Sequence, residues 1–125
     1  MNDPRSREGN GVRRVLVVED DPDVREALAD ALADHGFEVA SATDGREALR
    51  ILRERAADVI VLDLMMPGMN GWQFRAEQKK DPALAHLPIV VVSASGHRDI
   101  DATAFLDKPF EVEALLALIA RHAVH

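Results

Sequence analysis

Apolar positions alternate along the chain between short continuous runs and helically spaced sets. Val15–Val18 is the first run, the pattern of a strand covered on both faces. Asp21 and Pro22 then read as a helix start, with proline in the first turn and acids at the positive end of the helix. Val24, Leu28, Ala31 and Leu32 recur at helical spacing until Gly36 ends the helix. Phe37–Ser41 is a second strand, and Asp44-Gly45 opens a helix carrying Ala48, Leu49 and Leu52. Asp58–Leu62 is a third strand, closed by Pro67-Gly68 and followed by a helix over about Asn70–Lys79. Pro88–Val92 and Ala104–Asp107 are a fourth and a short fifth strand. Val112, Leu115, Leu116 and Ile119 share one face of a last helix.

Strands alternating with helices predict an α/β, doubly wound parallel sheet with right-handed crossovers. Residues 1–11 lack periodicity and are expected to form a disordered N-terminal tail, leaving 12–125 as one domain. In such sheets, ligands bind at the carboxyl ends of the strands. Glu19, Asp20 and Asp21 follow the first strand, Asp63 the third, Ser93 the fourth and Lys108-Pro109 the fifth. Carboxylates, a hydroxyl and an ammonium therefore converge on one rim.

Composition narrows the chemistry. The chain has no cysteine, which excludes thiolate metal sites and thiol nucleophiles. Its net charge of −7 argues against direct, non-specific binding to nucleic acid. No apolar run is long enough to span a membrane, and the first residues hold no signal peptide, so the expected location is cytoplasmic. Carboxylates gathered from separate strands repel unless neutralised, and a hard divalent cation such as Mg2+ is the simple solution. Asp20 and Asp63 are the expected direct ligands, with Glu19 acting through water. No histidine pair has ligand spacing, so zinc is not expected. With Mg2+ in place, one carboxylate can act as a nucleophile toward phosphorus. Of the 15 basic residues only Lys79, Lys80 and Lys108 are lysine, and Lys108 alone lies between apolar neighbours, where a compact point charge suits a cramped phosphate site.

Val15–Pro22, Val61–Gly68, Val91–Ala94 and Lys108–Phe110 together resemble the motifs of the receiver domain of two-component response regulators. The resemblance extends from about Val12 to the C-terminus. It implies a flavodoxin-like, five-stranded sheet ordered 2-1-3-4-5. By the same resemblance, Asp63 is the phosphoacceptor, and Glu19 and Asp20 form the acidic pocket for Mg2+, with the backbone carbonyl of Met65 as a further ligand. Ser93 and Lys108 match the family's hydroxyl and lysine, Phe105 its aromatic switch position, and the Lys108–Pro109 bond is expected to be cis. The implied donor is a histidine kinase or histidine phosphotransfer protein, and an arginine- and alanine-rich composition points to a bacterial source.

Ser93 and Lys108 are only 15 positions apart, shorter than the family interval by roughly two helical turns of about 3.6 residues each. The family's fourth helix is therefore expected to be shortened or lost, with residues 94–103 forming a turn or loop. Taken singly, the site residues have plainer explanations: the acids at 19–21 as helix caps, Asp63 as a turn residue, Lys108 as a surface lysine and Ser93 as a strand-end hydroxyl. Met65, Met66 and Met69 read as packing around a tight loop, Trp72 as a partly covered helix residue, and the arginines at 46, 50, 53 and 55 as a solvated face. Two other functions fit parts of the pattern. One is a pseudo-receiver that binds partners without phosphorylation. The other is a Mg2+-dependent phosphatase, whose second Asp, two positions after the nucleophile, is here replaced by Met65.

Overall fold

The computed structural model describes residues 13–94, 96 and 98–123; the expected N-terminal tail and part of the crossover expected to lack a helix lie outside them. The elements run β1 (Arg14–Val18), α1 (Pro22–Asp34), β2 (Glu38–Ala42), α2 (Gly45–Glu54), β3 (Val59–Asp63), α3 (Gly71–Lys80), β4 (Ile89–Ser93), β5 (Ala104–Asp107) and α4 (Val112–His122). The five strands form one sheet in the order β2-β1-β3-β4-β5, every pair parallel. This is the doubly wound α/β architecture that the alternating pattern predicts.

Most strands sit one residue further along the chain than their apolar runs. Asp63 pairs with Val92, and Ser93 with Asp107, so both polar residues are the last members of their strands rather than the first residues beyond them. The ladder continues through them because backbone pairing is indifferent to side-chain polarity. α3 likewise begins after Asn70, whose side chain accepts from the Gln73 N–H while Gln73 returns the bond to the Asn70 N–H, a reciprocal cap.

Alternation along each strand divides the core between the two faces of the sheet. Val15, Val17, Val59, Val61, Val90 and Val92 face α1 and α4, meeting Leu28, Leu32, Leu115 and Ile119. Leu16, Val18, Ile60, Leu62 and Val91 face the other way, toward Leu49, Leu52 and Phe74 of α2 and α3. Both faces of β3 and β4 are covered, which is why their sequences read as unbroken apolar runs. No helix of the described residues is long and apolar enough to cross a membrane.

The route from β4 to β5 differs from the other crossovers. None of its described residues is helical. Ile100 instead inserts into the α2–α3 side of the core, with Ala102 and Phe105 packed beside it. Thr103 then leads into β5, its N–H donating to the Ile89 carbonyl at 2.9 Å and its hydroxyl accepting from the Ile89 N–H at 3.1 Å. One apolar side chain from a strap thus covers part of the face on which a helix would lie.

α3 sits close against the end of β3. A Cβ on Gly71 would fall 2.8 Å from Leu64 Cα and 3.0 Å from the Asp63 carbonyl oxygen, so only glycine permits this approach. Further along α3, Gln78 is fully buried, a feature the sequence pattern does not reveal. Its amide nitrogen donates to the carbonyls of Leu84 and Leu87, at 2.8 and 3.3 Å, and its oxygen accepts from Arg75. These bonds fold the segment after α3 back toward β4. Gln78→Leu keeps the bulk but removes this donor from both carbonyls, leaving the Leu84 carbonyl only the Leu87 N–H at 3.1 Å, so it should lower unfolding free energy by about 1–3 kcal/mol, measured by urea denaturation.

Candidate functional site

The carboxyl ends of β1, β3, β4 and β5 meet at one rim, and each delivers a different group. Glu19 follows β1 directly, held there by its N–H donating to the Ala42 carbonyl at 3.0 Å. The three consecutive acids divide their work. Asp21 caps α1, accepting from the N–H groups of Asp23 and Val24. Glu19 and Asp20 instead turn toward Asp63, and carboxylate oxygens from these three residues lie within 4.8 Å of one another. The capping explanation is therefore right for one acid of the three.

Arg25, one turn into α1, reaches back to this loop. Its guanidinium donates to the carbonyl of Glu19 at 2.9 Å and of Asp20 at 3.3 Å. Sequence reasoning passed over it, because an arginine on a helix resembles any solvated residue until the loop folds against it.

Lys108 comes from the opposite edge. Its N–H donates to the Ser93 carbonyl at 2.8 Å, and the peptide bond to Pro109 is cis, as the resemblance implied. The lysine side chain crosses the rim so that Nζ lies 3.0 Å from Glu19 Oε1 and 3.8 Å from Asp63 Oδ1. Glu19, Asp63 and Ser93 are buried. The Met65 N–H lies 3.5 Å from Asp63 Oδ1, while its side chain projects into solvent, 60% exposed. Phe105 is half-buried on β5, beneath the guanidinium of Arg98.

One ammonium faces three carboxylates, leaving excess negative charge in a partly desolvated site. Burial raises the Asp63 carboxyl to about 6, and the adjacent Glu19 adds to the rise through its charge and a hydrogen bond. The opposing effects of Lys108 and the Met65 N–H are smaller. An all-oxygen donor set with surplus negative charge fits a hard divalent cation such as Mg2+ and offers nothing to a thiophilic metal.

Other candidate groups fall outside this cluster. The arginines of α2 form ion pairs, Arg50 with Glu47 and Glu54, and Arg53 with Asp81. Trp72 does not point to the acids; its indole N–H donates to Asp99 at 3.2 Å.

Comparison with known proteins converges on one family. Residues 15–120 match the response regulator receiver domain. The chain is 38% identical over 118 residues to the response regulator protein FleR of Pseudomonas aeruginosa, an alignment covering 89% of this chain and 24% of FleR. The first curated relatives share this asymmetry: the chain spans about half their length or less. Among solved structures, the chemotaxis protein CheY4 of Vibrio cholerae superimposes with a TM-score of 0.83 at 32% identity, covering 89% of this chain and 98% of CheY4. The response regulator TrrA of Thermotoga maritima, solved in complex with Mg2+-BeF, gives a TM-score of 0.78 at 30% identity, covering 87% of this chain and 97% of TrrA.

The raised Asp63 carboxyl has a consequence for stability. The folded state holds this proton more tightly than the unfolded chain, where the group titrates near 3.8. Stability contributed by Asp63 is therefore greatest at low pH, falls as pH rises from about 4 to about 6, and stays low above that. In metal-free buffer at pH 8, Asp63→Asn should be more stable than the wild type by about 2–3 kcal/mol. The difference should vanish near pH 3, as measured by denaturant unfolding across pH.

Proposed function

Given that the chain belongs to the response regulator receiver domain family, we propose that it accepts a phosphoryl group on Asp63 and that residues 12–125 form the receiver unit. The observation that carries this reading is the meeting of Glu19, Asp20 and Asp63 with the Lys108 amine, 3.8 Å from the Asp63 oxygen, at the ends of separate strands. The donor is a histidine kinase or a histidine phosphotransfer protein, and the chain works in the cytoplasm.

An Asp63 oxygen attacks the phosphorus of the donor phosphohistidine; the new oxygen–phosphorus bond forms as the phosphorus–nitrogen bond breaks, and the imidazole leaves with the electron pair. Glu19, Asp20 and Asp63, with the carbonyl of Met65, would hold Mg2+. Bound there, the ion supplies positive charge against the oxygens of the transferring group. The chain's own residues do the remaining work. Arg25 fixes the loop carrying two of the acids. Lys108 exchanges its contact with Glu19 for a phosphoryl oxygen, and Ser93 offers its hydroxyl to another. Phosphorylation adds a charge of about −1.5 to −2 at the rim. Phe105 turns inward in response, and the surface around β5 changes its preference for partners. The same residues position a water for hydrolysis, so the chain assists its own dephosphorylation.

Incubation with acetyl phosphate and Mg2+ should add one phosphoryl mass to the intact protein, and Asp63→Asn should abolish it. Lys108→Ala should slow the gain at least tenfold. A pseudo-receiver would gain no mass, and a phosphatase would turn over unrelated phosphate esters. Mg2+ alone should raise the melting temperature of the wild type, by an amount corresponding to about 2.7 kcal/mol at a hundredfold excess over Kd. Asp20→Asn should remove most of that rise.

A further inference from the structure

The strap between β4 and β5 lacks a helix among its described residues, yet it is held from two sides. From α3, the Trp72 indole donates to Asp99. Arg75 donates to the Asp101 carbonyl at 2.8 Å, and Lys79 reaches the Asp101 carboxylate at 3.1 Å. From the strand side, Arg98 presents two guanidinium nitrogens to the two oxygens of Asp107, at 3.1 and 3.3 Å. The same guanidinium lies 4.8 Å above the Phe105 ring. One arginine therefore grips two alternate residues of β5, and the second of them immediately precedes Lys108.

β5 is four residues long and pairs with β4 alone. Edge strands this short fray, and fraying here would withdraw the Lys108 amine from the rim. Building on the reading of the site given above, we propose that Arg98 is a positioning residue for Lys108. By clamping Asp107 and covering Phe105, it ties the end of β5 to the strap and holds the lysine at the reach the phosphoryl group requires. The clamp also gives the strap a share in the state of the site. The Phe105 ring cannot leave the guanidinium without disturbing the Arg98–Asp107 pair, and Asp99 next to Arg98 carries that disturbance toward α3. A two-pronged fork and a stacking face are both needed, and arginine supplies both where lysine supplies neither.

Two measurements on the whole chain test this. In the unphosphorylated protein, Arg98→Met should speed amide hydrogen exchange at Leu106 and Lys108 and leave β1 and β3 unchanged. With acetyl phosphate, the same variant should phosphorylate about two- to fivefold more slowly, the range open to an exposed bidentate pair. The Mg2+ midpoint should not move, because the acidic cluster is untouched. The exchanged pair Arg98→Asp with Asp107→Arg should recover exchange protection at Lys108 and most of the rate. Should Arg98→Met fail to fold, Asp107→Asn carries the same comparison and leaves the guanidinium over Phe105. Unchanged exchange at Lys108 together with an unchanged rate overturns the proposal, as does a loss of rate explained wholly by weaker Mg2+ binding. A wild-type chain that takes up no phosphoryl group overturns the reading of the site instead, and the exchange measurement then decides the clamp alone.

Discussion

The organising constraint is electrostatic: three carboxylates are drawn together at the rim of a parallel sheet with a single ammonium among them. Such a cluster opposes folding unless it is neutralised, and burial together with the neighbouring Glu19 charge raises the proton affinity of Asp63. The surrounding fold is arranged to hold this unfavourable group in place. β1 and β3 are buried and paired along both edges, so the acids at their ends stand on interior strands of the sheet. Lys108, in contrast, is delivered by the short edge strand. Surplus negative charge at the centre of the sheet is thus countered from its edge.

Much of this was legible in the sequence because the strand ends are marked by changes of residue type. Unbroken runs of Val, Leu and Ile stop at Glu19, Asp63 and Ser93, and the parallel topology follows from the alternation of those runs with helices. The exact register was less legible. Asp63 and Ser93 remain in the ladder because backbone bonding does not read polarity. Arg25 and Gln78 were hidden for a different reason: their partners are backbone carbonyls brought close only by folding, and no side-chain pattern announces a carbonyl. Asp21 shows the complementary case. Beside Pro22 it reads in the sequence as a helix start, and its side chain caps α1.

The short interval between Ser93 and Lys108 foretold a missing helix but not its replacement. A helix covers a sheet with several apolar side chains and satisfies its own backbone. The strap uses Ile100 for the first task and relies on α3 for part of the second, through Arg75 at the Asp101 carbonyl. Its attachments are mostly ionic and exposed, Asp101 to Lys79 and Arg98 to Asp107 among them, so they weaken with salt in a way a packed helix would not. The strap is accordingly fastened on this side of the molecule by charged contacts where a helix would be held by its buried apolar stripe.

The strand order has an implication for biogenesis. β1 pairs with β2 on one edge and with β3 on the other, and every pairing is parallel. As the polypeptide leaves the ribosome, β1 and β2 can associate early, but the second edge of Val15–Val18 has no mate until Val59–Asp63 has emerged. During that interval a valine-rich strand edge with open amides stays unpaired. The time taken for Val59–Asp63 to follow therefore sets how long that edge stays open to wrong pairing.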